Sequence, residues 1–258
     1  MSKREKVLVP ATSGQVGEIA GALIGEMNFS KIEAEAIVGK MGLFRQNVRR
    51  FYSPYRIKTV SLSPDLLRWS DNYFKLFNRR PDLSTLRVPE KPEGFGSMRL
   101  VVVAREILDW TENHPFEGVQ EALKKHFPGL EYIDDLDADI TTNDRDPKNG
   151  SYAVWVRDTQ EPDEEFVNRS ANDLKAENHT GIIVLERQLF EWDFFSEKGD
   201  HLDKTNITLC TGSRSSDGGV PGVSWIAARL DVDRYGSAHR HSALRSRRVW
   251  ALPAGRQA

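Results

Sequence analysis

The sequence predicts an α+β protein. A helical N-terminal region over residues 1–80 leads through a linker at 81–97 to a mixed helix-and-strand domain over 98–258, whose last strands are expected to run antiparallel. Three observations carry this reading. Apolar residues recur at helical spacing through the first 80 residues, short apolar runs bounded by turn residues begin at Met98, and the composition changes abruptly after Lys204. At 258 residues, 39% hydrophobic and 29% charged, the chain is long and apolar enough for a substantial core and has the composition of a soluble globular protein.

The helices come first. Thr12 or Ser13 can cap a segment in which Val16, Ile19, Leu23 and Met27 share a face, and Ser30 with Glu33 has the capping-box spacing for a second helix ending near Tyr52. Arg45, Arg49 and Arg50 beside Phe51 and Tyr52 fit a helix-turn-helix reading, and an ordinary amphipathic surface helix accounts for them as well. A third helix starts at Ser63-Pro64-Asp65 and aligns Leu66, Trp69, Tyr73 and Phe77. Three prolines and two glycines mark the linker. MRLVVVARE reads as a buried strand, FEGVQEALKKHF as a short helix and SYAVWVRD as a strand. TGIIVLERQLFEWDFFSEKG reads as a strong helix stopped by Gly199, and strands come after it at NITLC, around VSWIAARLDVDRY and at RRVWAL. The expected order from Met98 is β-α-β-α-β-β-β.

The change after Lys204 is the strongest signal. From Thr205 to Arg256 there is no Lys, Glu, Gln or Met, whereas the first 204 residues hold 41 of them. Strands and turns deplete Lys, Glu and Gln, so a Gly/Ser-rich β region written in GC-rich codons is one explanation. The other lies in the genetic code. Randomising the two adenines of an Asn codon yields Asn, Asp, His, Tyr, Ser, Gly, Arg, Ala, Val, Ile, Leu and a few others, and never Lys, Glu, Gln, Met or Trp. The missing set is that forbidden set, apart from Trp225 and Trp250, which would then be fixed positions.

Charge divides at the same place. Residues 1–204 carry 28 basic and 35 acidic side chains, residues 205–258 carry 8 and 3. A basic tail suits nucleic acid, and an Arg-rich binding face gives the same balance. A single cysteine, Cys210, excludes an internal disulfide framework and a cysteine zinc cage. No signal segment or membrane span is read, so a cytoplasmic protein without membrane insertion is the default expectation.

No catalytic constellation stands out. The acidic run Asp134–Asp146 has oxygen ligands but lacks the Gly and Glu of a calcium loop, and reads as a solvated turn. His239 and His241 would share a strand face without a carboxylate to complete a metal site. GSRSSDGG resembles a phosphate loop in composition only. Asp158, Asp163, Glu164 and Glu165 fit a nuclease-like cluster or a charged loop equally well.

With its small and polar residues alternating with Trp, Val, Pro and Leu-Arg, the segment GSRSSDGGVPGVSW…RLDVDRYGSAHRHSALRSRRV resembles the variable region of diversity-generating retroelement target proteins. That resemblance covers about a fifth of the chain. It implies a C-type-lectin-like fold for residues 98–258 and a non-catalytic protein without cofactor or metal, which binds a macromolecular ligand, a protein, through a hypervariable face. It implies that Trp225, Val220, Pro221, Leu230, Val232, Leu244 and Arg245 are scaffold. The implied ligand-binding positions are Ser215, Gly219, Gly222, Ser224, Ile226, Ala227, Ala228, Asp233, Tyr235, Gly236, Ala238, His239, His241 and Ala243. Small polar residues with occasional Tyr and Arg are the chemistry of antibody paratopes. The alternatives are a nucleic-acid-associated protein using the basic C-terminus and N-terminal helices, and an enzyme of another kind.

Overall fold

A computed structural model describes residues 62–127, 135–226 and 229–252, all within the unit that begins at Leu62. The helices expected between residues 12 and 52 lie outside the described residues. The described architecture mixes helix and sheet, an α+β arrangement.

Helix α1 (Pro64–Phe77) forms where its caps dictate. The Ser63 side chain accepts the Leu66 N–H, Pro64 occupies the first turn, and Asn78 closes the helix in the left-handed region at φ 54°. Strand β1 (Met98–Val103) is buried along its whole length and pairs antiparallel with β3 (Tyr152–Arg157), from Met98 opposite Arg157 to Val103 opposite Tyr152. The C-terminal strand β9 (Trp250–Ala251) joins the far side of β3, giving the order β1-β3-β9. Tyr152 through Val156 in β3 are all buried, because both faces of the sheet are covered.

Helix α1 belongs to this body. Trp69 Nε1 donates to the Leu100 carbonyl at 2.7 Å, and the Tyr73 hydroxyl donates to the Val102 carbonyl while accepting the Ala104 N–H, both at 2.9 Å. These side chains satisfy backbone groups that β1 leaves unpaired on its outer side, so the edge is closed to other strands. The expected linker is packed too: Leu83 is 2% exposed and the Pro89 carbonyl accepts Trp155 Nε1 at 2.9 Å. The boundary expected at 81–97 therefore does not separate helix 64–77 from the sheet.

Two short helices, α2 (Ile107–Trp110) and α3 (Pro115–Lys124), come after β1. The acidic run is more structured than a solvated turn: α4 (Leu136–Asp139) leads into β2 (Ile140–Asn143), which pairs with β5 (Ser213–Ser215). Helix α5 (Ala171–Ala176) carries a capping box between Ser170 and Asp173, and α6 (Val184–Lys198) ends at Gly199 with φ 66°. A four-stranded sheet completes the fold in the order β7-β6-β4-β8, from β4 (Ile207–Leu209), β6 (Val220–Ile226), β7 (Arg229–Tyr235) and β8 (Leu244–Ser246). Its β6–β7 and β4–β6 pairs are antiparallel, as expected, but β4 and β8 run parallel. The long return from β7 brings β8 back beside β4 in the same direction, which no hairpin could do.

Candidate functional site

The C-terminal segment is built on the β6–β7 hairpin. Val223 opposite Val232 and Trp225 opposite Leu230 face the main core. The other face carries Val220 opposite Tyr235, Gly222 opposite Asp233 and Ser224 opposite Asp231. There Val220 packs with Leu209 and Ala171 under a half-buried Tyr235. A Cβ on Gly222 would lie 2.5 Å from Tyr235 Cε2 and 2.9 Å from Ile207 Cγ2, so the tyrosine ring rests on the bare glycine backbone. Burial pushes the Tyr235 hydroxyl up to about 12, with Asp233 and Asp231 adding to the shift.

Beyond Tyr235 the chain turns through an exposed loop. Tyr235 and His239 rings stand 5.9 Å apart, and His239 and His241 lie nearly parallel with centroids 6.5 Å apart. Between the two histidines, Arg240 makes a two-pronged contact with Asp173 at 2.6 and 2.9 Å and ties the loop to α5. The same contact holds the Asp173 carboxyl far below the usual carboxylate range, together with the Ser170 hydrogen bonds. Asn172 N–H donates to the Ser237 carbonyl, and His241 Nδ1 accepts the Ala243 N–H. A shallow cleft of about 270 Å³ opens between Asp217–Gly219 and Arg234–Ser237.

The expected binding positions fall into three groups. Asp233, Gly236, Ala238, His239 and His241 are exposed, with Tyr235 and Ala243 half-buried, and these gather on the end of β7 and the loop beyond it. Ser215, Gly219, Gly222 and Ser224 are buried, so their side-chain positions do not reach the surface; Ser215 is sealed by the β2–β5 pairing. Ala227, Ala228 and the Ile226 side chain lie outside the described residues. Among the expected scaffold, Val220, Leu230, Val232 and Leu244 are buried and Trp225 stacks on His201 at 3.3 Å.

A buried charge network supports this surface. Arg187 on α6 is fully buried; its Nε donates to Asp203 at 2.8 Å and its Nη1 to Glu191 at 2.9 Å. Arg247 donates to the other Asp203 oxygen at 2.5 Å, to Thr208 Oγ1 at 3.0 Å and to the Thr159 and Gln160 carbonyls at 3.0 and 2.8 Å. Glu191 also meets His201 Nδ1 at 2.8 Å, beneath Trp225. Nearby, Arg145 grips Glu186 at 2.5 and 2.9 Å. Sequence reading missed this network, although a signal was present. In α6 charged and apolar residues are interleaved and every residue from Val184 to Phe194 is buried, so Glu186, Arg187, Glu191 and Asp193 lie inside the core.

The remaining sequence candidates resolve into ordinary contacts. Cys210 is completely buried, and burial pushes its thiol up, away from the reactive thiolate. Asp158 pairs with Arg99, while Asp163 and Glu165 pair with Arg157. GSRSSDGG forms β5 and a turn in which Asp217 accepts the Gly219 N–H and Gly218 takes φ 82°. One unforeseen cluster does form: His114, Glu117 and Asp137 place their ligand atoms within 4.8 Å of one another. Among the described residues no helix is long and apolar enough to cross a membrane. Comparison with known proteins finds no matching family model, no similar curated protein and no similar solved structure.

Proposed function

We propose that this chain is a non-catalytic ligand-binding protein of the retroelement-diversified kind, with a C-type-lectin-like domain that presents a variable face to a macromolecular partner, a protein. The observation that carries the reading is the 52-residue absence of Lys, Glu, Gln and Met from Thr205 to Arg256. The geometry supports it in one respect. Asp233, Tyr235, Gly236, Ala238, His239 and His241 form one continuous stretch of loop and strand end, and Arg240–Asp173 and the Arg247 network anchor the backbone from below. A loop held in this way can exchange side chains without disturbing a core.

The nucleic-acid alternative gains less. Arg234 contacts Asp139 and Asp217, Arg240 is bound by Asp173, and Arg247 by Asp203, so these cations are already neutralised within the fold. The test is a library randomised at Asp233, Gly236, Ala238, His239 and His241. Most members are expected to keep the parental unfolding midpoint, as surface substitutions usually stay within about 0.5 kcal/mol. General loss of folding across the library would refute a display face. In the source genome, a nearby near-copy of the 3′ coding end, differing at adenines, is the expected genetic counterpart.

A further inference from the structure

We infer that His114, Glu117 and Asp137 form a binding site for one divalent cation of the zinc class, beside a cavity of about 420 Å³ that His114 and Asp137 help line and that is separate from the β6–β7 face. The three residues come from two segments distant in sequence. His114 immediately precedes Pro115 at the start of α3, and Glu117 lies in its first turn. Asp137 arrives from α4, where its two oxygens accept the Phe116 and Glu117 N–H groups at 3.3 and 2.8 Å. Those hydrogen bonds fix the carboxylate beside the other two donors. They occupy about half of its four lone-pair positions.

The donor set is selective. One imidazole nitrogen with two carboxylates is a zinc-type set, in which donors sit about 2.0–2.2 Å from the ion and a fourth position stays open. Donors around such an ion stand about 3.4 Å apart. Here His114 Nδ1 and Glu117 Oε2 stand 4.0 Å apart, too far for a hydrogen bond and close enough for a small side-chain rotation to bring both onto one ion. Both side chains are at least a third exposed and free to make that movement. Calcium, which takes six to eight oxygens, has too few donors here.

Charge gives an independent argument. Two carboxylates converge with the imidazole, and among the described residues neither has a Lys or Arg within ion-pairing distance. Two Lys or Arg side chains line the adjacent cavity: Arg145 is committed to Glu186, and Lys148 is exposed with no ion pair to Glu117 or Asp137 among the described residues. Like charges at this spacing repel unless a cation lies between them. A divalent ion supplies it, and the cavity that His114 and Asp137 help line is large enough for water or a small oxyanion beside the ion.

The test is isothermal titration of Zn²⁺ into the untagged, chelator-treated full chain, beside His114→Ala, Glu117→Gln and the double variant His239→Ala/His241→Ala. Expected is one site in the wild type, weakened at least about tenfold by either single substitution and unchanged in the double variant. His114 and Glu117 lie at the surface, so both variants should unfold at the wild-type midpoint without metal, which keeps binding loss distinct from misfolding. No uptake by the wild type, equal uptake by both single variants, or loss confined to the double variant would each overturn the assignment. So would tight Ca²⁺ binding with no response to Zn²⁺.

Discussion

Replacing Arg247 with Met tests whether the buried charge network holds the C-terminal segment in place. The guanidinium is 1% exposed and donates to Asp203, Thr208 Oγ1 and two backbone carbonyls. At its centre the network balances Arg187 and Arg247 against Glu191 and Asp203, all buried. Methionine fills similar volume but leaves two carboxylates facing one guanidinium. Removing one member of a buried pair costs about 3–5 kcal/mol, because the remaining charge stays desolvated without its partner. Against a typical domain stability of about 5–15 kcal/mol, that is a large fraction.

Guanidinium denaturation monitored by tryptophan fluorescence should show that loss as a lower midpoint with a similar slope. The deficit should also shrink as pH falls from 7.5 toward 5. In the variant, a surplus buried carboxylate has its folded-state pKa raised, so folding takes up a proton and gains relative stability in acid. A deficit under about 1 kcal/mol at neutral pH would refute the reasoning and leave Arg247 a spectator. A deficit that grows on acidification would refute the charge accounting even if its neutral size agreed.

Local geometry sets two further outcomes. Gly222→Ala should destabilise the fold by about 1–3 kcal/mol, since the new methyl meets the Tyr235 ring at 2.5 Å and Ile207 at 2.9 Å; a neutral result by thermal denaturation would mean the ring swings aside freely. Burial, aided by the nearby Arg248 charge, lowers the His179 pKa to about 4 from the ordinary 6.5, so the folded state favours the neutral ring. Its stabilising contribution is therefore complete above pH 6.5 and declines as pH falls toward 4. The midpoint difference between wild type and His179→Asn, measured across that window, should narrow on acidification, and a constant difference would remove the histidine from the pH response.

Local elements were legible in the sequence because their causes are local. Ser63-Pro64-Asp65 starts α1, Gly199 stops α6, and the run Leu100–Val103 could only be a buried strand. The composition break after Lys204 is visible in the chain alone, and the exposed residues of that segment lie mostly between Asp233 and Ser242. Strands β2 and β5 escaped notice because each is three or four residues long and exists only through pairing across some 70 residues of chain. The parallel β4–β8 contact, the attachment of α1 to the β1 edge and the meeting of His114 with Asp137 are of the same kind.

Capping, periodicity and codon content act within a few residues, so the chain alone set where α1 starts, where α6 stops, that Leu100–Val103 is a strand, and which residue types the C-terminal segment excludes. Packing was needed to close candidate positions such as Ser215 and Ser224, and to bring together charges such as Arg247 and Asp203. Burial and ion pairing depend on distances between residues remote in the chain, and those distances are set only when the layers pack together.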